Sequence, residues 1–218
     1  MRVFFLFFAA IVFSSCSSLS QYVVPPPSDM APQARQAVVV NPQGKDFHAV
    51  VTGWKRMSSG WQRVLGPWPC VVGRKGFAPE GEKREGDGQT PSGVFALKRA
   101  FGRDIKIKTA LDYREAGADD FWVDDVSSKQ YNLWVHGAPL ASSFEKMKRD
   151  DGLYDIGAVI EYNTDPVVAG QGSAIFIHVW RGQGARPTAG CVAMEHRRVG
   201  KLLSWLDKNE NPVIKIGR

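Results

Sequence analysis

The chain has 218 residues, of which 44% are hydrophobic, so it can bury one sizeable core and is short enough for a single main domain. Its formal net charge is +6 at pH 7, but it contains no block of Lys and Arg interleaved with aromatic residues, which disfavours nucleic acid as a partner. A basic balance of this kind suits a protein that works against a polyanionic surface.

The first fifteen residues are organised like a secretory signal peptide. Arg2 precedes an apolar run over residues 3–13, which is shorter than the ~20 residues that a helix needs to cross a bilayer. Small residues lead into Cys16, as in a bacterial lipobox. We therefore expect residues 1–15 to be removed and Cys16 to become the lipidated first residue of the mature chain. An ordinary signal peptide cleaved nearby is the alternative.

Residues 16–37 are predicted to form a tether between the membrane and the folded domain. They are rich in Ser, Pro and Gln, include three consecutive prolines at 25–27, and show no sustained period. Ser17 fits sorting of the lipidated chain to the outer membrane, and a triacylated cysteine would anchor it stably. The globular domain is predicted over residues 38–217, without internal repeats.

Within that domain, short apolar and alternating segments predict a β-rich structure with two helices. One helix is predicted over residues 143–151, with Ser143 as its N-cap. The other is predicted over residues 195–207, where apolar residues recur on one helical face. Residues 99–128 are polar and predict an irregular loop. Strands are predicted over residues 38–40, 47–54, 61–65, 70–73, 94–98, 131–136, 157–162, 174–180 and 213–216.

The segment Gly172–Met194 carries the residues with the clearest chemistry. A strand that reads as buried on both faces contains His178, and a loop punctuated by glycine and proline leads from it to Cys191. The loop allows the thiol to return beside the imidazole. A neighbouring His lowers the pKa of a thiol and accepts its proton, which produces the nucleophilic thiolate. Gly190 leaves room for a substrate carbonyl beside the Cys191 amide.

This pattern, a His on a strand followed by a Gly-rich loop and [Ser/Thr]-x-Gly-Cys-[Val/Ile], resembles the catalytic motif of the L,D-transpeptidase (YkuD-type) domain. Members of that family are bacterial cysteine enzymes that act on peptidoglycan stem peptides. The resemblance implies Cys191 as nucleophile, His178 as base, and Thr188 with the amides of Gly190 and Cys191 around the oxyanion. It also implies a single mixed α/β, β-rich domain with a β-sandwich-like core, and acylation of the cysteine by carbapenems. No cofactor or metal is expected.

Three positions depart from the common form of the family motif. Ala189 replaces the His of Ser-His-Gly-Cys, Ala193 stands where many members carry Arg, and Val179 follows the base where Gly is usual. The Thr-Ala-Gly-Cys-Val-Ala-Met version is identified as that of a subgroup of the family. Ala189 and Ala193 bear on acceptor choice and on the binding of substrate carboxylates rather than on the Cys–His pair. Tyr154 and Arg181 are further candidates for substrate contacts.

A second motif supports the resemblance. Residues 86–95 read Gly-x-x-x-Thr-Pro-x-Gly-x-Phe, which is similar to a stretch near the start of the family's domain. We expect it to serve as scaffold, and an ordinary hairpin loop is the alternative. Two cysteines remain once Cys16 is set aside. A Cys70–Cys191 disulfide is possible in an oxidising compartment, but the motif favours a free Cys191 and a Cys70 packed in the core.

The N-terminal pattern and the family resemblance together predict a lipoprotein enzyme on the periplasmic side of the envelope, at the outer membrane. Cys191 would form a thioester with a stem peptide, and an amine from a second stem or from an envelope protein would resolve it. A hydrolase with the same residues would use water instead, as an L,D-carboxypeptidase, endopeptidase or amidase. A non-catalytic lipoprotein that binds the cell wall is the alternative outside enzymology.

Overall fold

A computed structural model describes residue 27 and residues 30–44, 46–103 and 107–217. The predicted signal peptide, the lipidation site at Cys16 and most of the predicted tether lie outside these residues. None of the helices in the described ranges combines the length and the hydropathy that a membrane span needs.

Thirteen strands in two sheets and one α-helix make up the described chain, together with short 3₁₀ turns. The larger sheet has ten strands in the order β4-β13-β1-β2-β3-β12-β11-β10-β5-β6, and the smaller has three in the order β8-β7-β9. Helix α1 covers His196–Trp205. The strands are β1 Gln36–Pro42, β2 His48–Met57, β3 Gly60–Val71, β4 Gly93–Ala96, β5 Arg99–Gly102, β6 Asp112–Glu115, β7 Asp120–Val123, β8 Trp134–His136, β9 Phe144–Lys146, β10 Ile156–Val159, β11 Phe176–Val179, β12 Val192–Met194 and β13 Val213–Ile216.

The large sheet is covered on both faces in its centre, which explains why β10, β11 and β12 are almost entirely apolar. Helix α1 packs against β10 and β11 through Leu202, Leu203 and their neighbours, in the main core cluster. The opposite face of the same strands packs against the small sheet through a second cluster that contains Trp122 and Phe176. The strand-rich, layered arrangement confirms the mixed α/β, β-sandwich-like fold predicted from the sequence.

Several local predictions are wrong, and the errors share one cause. Residues 143–151 do not form a helix, because β9 instead pairs antiparallel with β7. Residues 99–128 are not an irregular loop, since they contribute β5, β6 and β7. These strands are three or four residues long and bear charged side chains, so their sequences carry little periodicity. Backbone pairing with distant strands decides their structure and overrides local propensity.

Candidate active site

The parallel pairing of β11 with β12 brings together the two residues that the sequence singles out. His178 on β11 lies opposite Ala193 on β12, and Ile177 lies opposite Val192, which directly follows Cys191. Since alternate residues of a strand face the same side, Cys191 projects from the same face of the sheet as His178. This face is the one that packs towards the small sheet, because Cys191 belongs to the second core cluster.

Cys191 and His178 line one cavity of about 350 Å³. Its walls come from β9, from the loops before β10 and after β11, and from the turn that carries Cys191. Three arginines and one glutamate supply its charged groups. The lining residues are Glu145, Arg149, Leu153, Tyr154, His178, Arg181, Arg186, Pro187, Thr188, Ala189, Cys191 and Ala193.

The Cys191 thiol is buried and held by backbone groups. Its Sγ donates to the carbonyl oxygen of Ala174 at 3.2 Å and accepts from the amide of Phe176 at 3.4 Å. Burial raises the pKa of the thiol to about 12, and the nearby Glu145 carboxylate adds to the rise. The expectation that a neighbouring His lowers this pKa is therefore wrong for the resting site, because desolvation outweighs the other influences.

His178 is also buried and uncharged at neutral pH. Its Nδ1 lies 2.7 Å from the carbonyl oxygen of Val179. A carbonyl only accepts hydrogen bonds, so Nδ1 carries the proton and Nε2 keeps its lone pair. Burial lowers the pKa of His178 to about 4, and the positive charge of Arg149 contributes. The resting site is thus a neutral thiol beside a neutral imidazole whose free nitrogen can accept a proton.

Thr188 braces the turn that carries Cys191. Its hydroxyl donates to the carbonyl oxygen of Cys191 at 2.7 Å and accepts from the amide of Gly190 at 3.1 Å. The Gly190 amide is therefore engaged and not free for a substrate oxyanion, contrary to the sequence prediction. In the described part of the chain the Cys191 amide has no hydrogen-bond partner, which leaves it as the available donor.

Gly190 lies in a closely packed part of the turn, where a side chain would crowd its neighbours. A Cβ at this position would lie 3.0 Å from the carbonyl oxygen of Gln89 and 3.2 Å from Cδ1 of Ile175. The loop that carries Gln89 belongs to the second sequence motif. Its Thr90 is buried, and the Thr90 hydroxyl accepts from the amide of Gly73 at 2.8 Å. Gly73 pairs in turn with Thr188, so the motif acts as a scaffold beneath the turn that carries Cys191.

Tyr154 lies against the predicted base. Its ring meets that of His178 edge-on, with 5.3 Å between centroids, and its hydroxyl donates to the carboxylate of Glu145. Burial raises the pKa values of both the tyrosine and the glutamate. Glu145 was missed in the sequence because residues 143–151 read as a solvated helix, and no local pattern indicates that β9 carries it into the cavity.

Two of the cavity arginines share one carboxylate. Asp151 accepts two hydrogen bonds from Arg149, at 2.9 and 2.7 Å, and one from Arg181 at 2.9 Å. These contacts hold the pKa of Asp151 well below its usual range. Arg186 lines the cavity from the loop after β11. Arg181 was a sequence candidate for substrate contacts, whereas Arg149 and Arg186 were not distinguished from other surface arginines.

Cys70 and Cys191 are both free and buried, so the disulfide considered from the sequence is absent. Cys70 lies in β3 within the main core cluster, as the sequence predicted. His136 is exposed. The described residues contain no group of three or more His, Cys, Asp or Glu side chains that could hold a metal ion.

Comparison with known proteins gives a family for nearly the whole described chain. Residues 35–214 match the model of the YkuD family, the L,D-transpeptidase catalytic domain. No curated protein matches the sequence. Among solved structures, the helical cell shape determining protein Pgp2 from Campylobacter jejuni is similar, with 15% sequence identity and a TM-score of 0.41. That match covers 83% of this chain and 46% of the other, so this chain spans less than half of that relative's length.

The two thiols should differ in reactivity. With iodoacetamide under non-denaturing conditions, we expect peptide mapping to find Cys191 alkylated first, because it opens into the cavity whereas Cys70 does not. The alkylation rate of Cys191 should rise about tenfold per pH unit from neutrality towards about 12, since its thiolate fraction rises in that way below the pKa. A rate that levels off near pH 8 would contradict the raised pKa.

Thr188 offers a matched pair of variants. Thr188→Val keeps the shape of the side chain but removes both hydrogen bonds, so we expect acylation of Cys191 to slow by roughly 10- to 100-fold because the nucleophile turn is displaced. Thr188→Ser retains the hydroxyl and should stay within about threefold of the wild-type rate. Intact-mass spectrometry over time measures both rates, and equal rates for the two variants would show that the hydroxyl has no such role.

Proposed function

Because the chain belongs to the YkuD family of L,D-transpeptidase catalytic domains, we propose that it is a peptidoglycan L,D-transpeptidase-like cysteine enzyme. Its substrates are stem peptides, and it acts through a thioester formed on Cys191. The observation that carries the proposal is the placement of Cys191 and His178 on one face of adjacent parallel strands, where both open into the same cavity.

The first half of the reaction forms the acyl-enzyme. Cys191 turns from the Ala174 carbonyl and passes its proton to Nε2 of His178, and its sulfur attacks the carbonyl carbon of an L,D peptide bond. The amide of Cys191 donates to the oxyanion that develops. When the tetrahedral intermediate collapses, the C–N bond breaks, the leaving amine takes the proton from His178, and the thioester remains.

The second half transfers the acyl group. An amine from a neighbouring stem or from an envelope protein attacks the thioester, His178 accepts the amine proton, and the departing sulfur takes that proton back. With water in place of the amine, the same steps give hydrolysis. Burial of the thiol and the imidazole supports a site that excludes bulk water, which favours transfer.

The charge of the cavity supports a carboxylate-bearing substrate. The cavity is lined by three arginines, Arg149, Arg181 and Arg186. Two of them, Arg149 and Arg181, donate hydrogen bonds to the same carboxylate, that of Asp151. Guanidinium groups bind carboxylates in forked pairs, and stem peptides carry such groups. Ala193, which stands where many relatives carry Arg, also lines the cavity. The three arginines therefore supply positive charge that position 193 lacks.

We further propose that the mature protein is an outer-membrane lipoprotein that faces the periplasm. The support comes from the sequence: the apolar run over residues 3–13 and the small residues before Cys16. The tether predicted over residues 16–37 would let the domain reach the cell wall from its anchor.

A carbapenem tests the proposed nucleophile and base. We expect its mass to be added once to the wild-type protein, on Cys191, and not at all to Cys191→Ser, whereas Cys70→Ser should react like the wild type. His178→Ala should slow adduct formation by roughly 10²–10⁴, the usual contribution of a positioned base. Because the thiol pKa is about 12, alkaline pH should restore that variant only far above neutrality.

The wild-type rate of adduct formation should stay high down to about pH 4, since His178 is an active base only while it is unprotonated. Intact-mass spectrometry measures each rate. An adduct that survives Cys191→Ser would show that Cys191 is not the nucleophile. Incubation with a stem tetrapeptide, with and without a second stem amine, separates transfer from hydrolysis by the mass of the product.

Lipidation is tested at the other end of the chain. In cells fed a labelled fatty acid, the wild-type protein should carry label and fractionate with the outer membrane, whereas Cys16→Ala should be unlabelled and soluble in the periplasm. Cys70→Ser serves as the control for cysteine loss. Unchanged labelling of Cys16→Ala would contradict the anchor.

A further inference from the structure

Ala174 carries the carbonyl that directs the thiol, and its backbone conformation is unusual. Its φ is 53°, in the left-handed region that residues with a Cβ rarely adopt. Ala174 precedes β11, and its carbonyl oxygen accepts the hydrogen bond from Cys191 Sγ. The direction of the thiol therefore depends on a backbone conformation that alanine does not favour on its own.

The amide of Ala174 is held by a buried side chain from another part of the chain. Asn132 is only 2% exposed, and its Oδ1 accepts from the Ala174 amide at 3.1 Å and from Nε1 of Trp122 at 2.9 Å. Its Nδ2 donates to the carbonyl oxygens of Asn163 at 2.6 Å and Tyr162 at 3.3 Å. The amide group is thus engaged on both its oxygen and its nitrogen, which leaves the side chain little freedom to turn.

The two residues before Ala174 are also held by hydrogen bonds to side chains from distant parts of the chain. The amide of Gly172 donates to the hydroxyl of Tyr131 at 3.0 Å, and the hydroxyl of Ser173 donates to Glu85 at 2.7 Å. These two bonds fix the approach of the segment. Of these hydrogen bonds, only the one that Asn132 Oδ1 accepts is donated by the residue whose carbonyl oxygen binds the Cys191 thiol.

We propose that Asn132 is a positioning residue for the nucleophile: by holding the amide of Ala174, it fixes the carbonyl that orients the Cys191 thiol. The inference rests on Cys191 being the nucleophile of the proposed function. Asn132 does not line the cavity that contains Cys191 and His178, so it acts through Ala174 and not on the substrate.

The proposal is tested with the variant Asn132→Ala by two measurements, enzyme kinetics and thiol alkylation. With a stem tetrapeptide as substrate, kcat should fall roughly 10- to 100-fold while KM stays unchanged, because the sulfur is misdirected but the cavity is intact. In the absence of substrate, the pH profile of Cys191 alkylation by iodoacetamide should shift to lower pH, because the neutral thiol loses a fixed acceptor. Glu145 and Lys83, the charged residues that act on the thiol, are unchanged in this variant.

Trp122→Phe is the matched control. It removes the other donor to Asn132 Oδ1 but leaves the bond to Ala174, so it should lower the thermal unfolding midpoint without changing kcat or the alkylation profile. Cys70 should remain protected from alkylation in both variants, which shows that the fold is retained. If Asn132→Ala is insoluble, Asn132→Ser replaces it, because its shorter side chain keeps a polar group but does not reach Ala174.

An alkylation profile in Asn132→Ala that matches the wild type overturns the proposal, as does an equal shift in Trp122→Phe. Because the profile is recorded without substrate, it does not depend on which reaction the enzyme catalyses. A failure of the proposed function would give a different result: neither a stem peptide nor a carbapenem would acylate Cys191 in the wild-type protein.

Discussion

The hydrogen-bonded pairing of β11 with β12 is the constraint on which the rest of the site depends. Parallel strands cannot be joined by a tight turn, so the chain leaves β11 after Val179 and returns through a loop before β12 begins at Val192. The register of the pair sets His178 opposite Ala193, and the strand period then puts Cys191 on the same face as the imidazole. A shift of one residue would turn the thiol towards helix α1 and away from the cavity.

The short turn from Thr188 to Cys191 is held by several hydrogen bonds and by one backbone pairing. The hydroxyl of Thr188 donates to the carbonyl oxygen of Cys191 within the turn, and the backbone of Thr188 pairs with that of Gly73. The amide of Gly73 donates to the hydroxyl of Thr90, so the Gly-x-x-x-Thr-Pro motif supports the turn that carries Cys191 through one side-chain hydrogen bond and one backbone pairing. From the other side, the carbonyl oxygen of Ala174 accepts a hydrogen bond from the Cys191 thiol. Cys191 is thus held by hydrogen bonds and backbone pairing on two sides, which suits the role of nucleophile that we propose for it.

Burial gives the resting site its chemical character. Desolvation disfavours both the thiolate and the imidazolium, so Cys191 and His178 rest as a neutral pair rather than as an ion pair. In such a pair the neutral thiol reacts slowly at neutral pH with electrophiles dissolved in the surrounding water. In the proposed mechanism the proton moves only when a carbonyl lies over the sulfur, where the Cys191 amide can stabilise the oxyanion. The cavity arginines place positive charge nearby without direct contact to the sulfur.

The sequence by itself determined the family, the strand-rich fold and the predicted reactive pair, because each is encoded locally. The run around His178 is apolar on both faces, and Thr188-x-Gly190-Cys191 is contiguous, so residue type and spacing suffice. Helix α1 was predictable for the same reason, since its apolar residues recur at helical spacing over ten residues.

The tertiary structure decided the features that depend on pairing between segments distant in the chain. Glu145 enters the cavity because β9 pairs with β7, Arg149 does so from the segment that follows β9, and the thiol pKa rises because the second core surrounds it. Asn132 and Ala174 meet across 42 positions in the chain, so no local pattern could indicate that one holds the other.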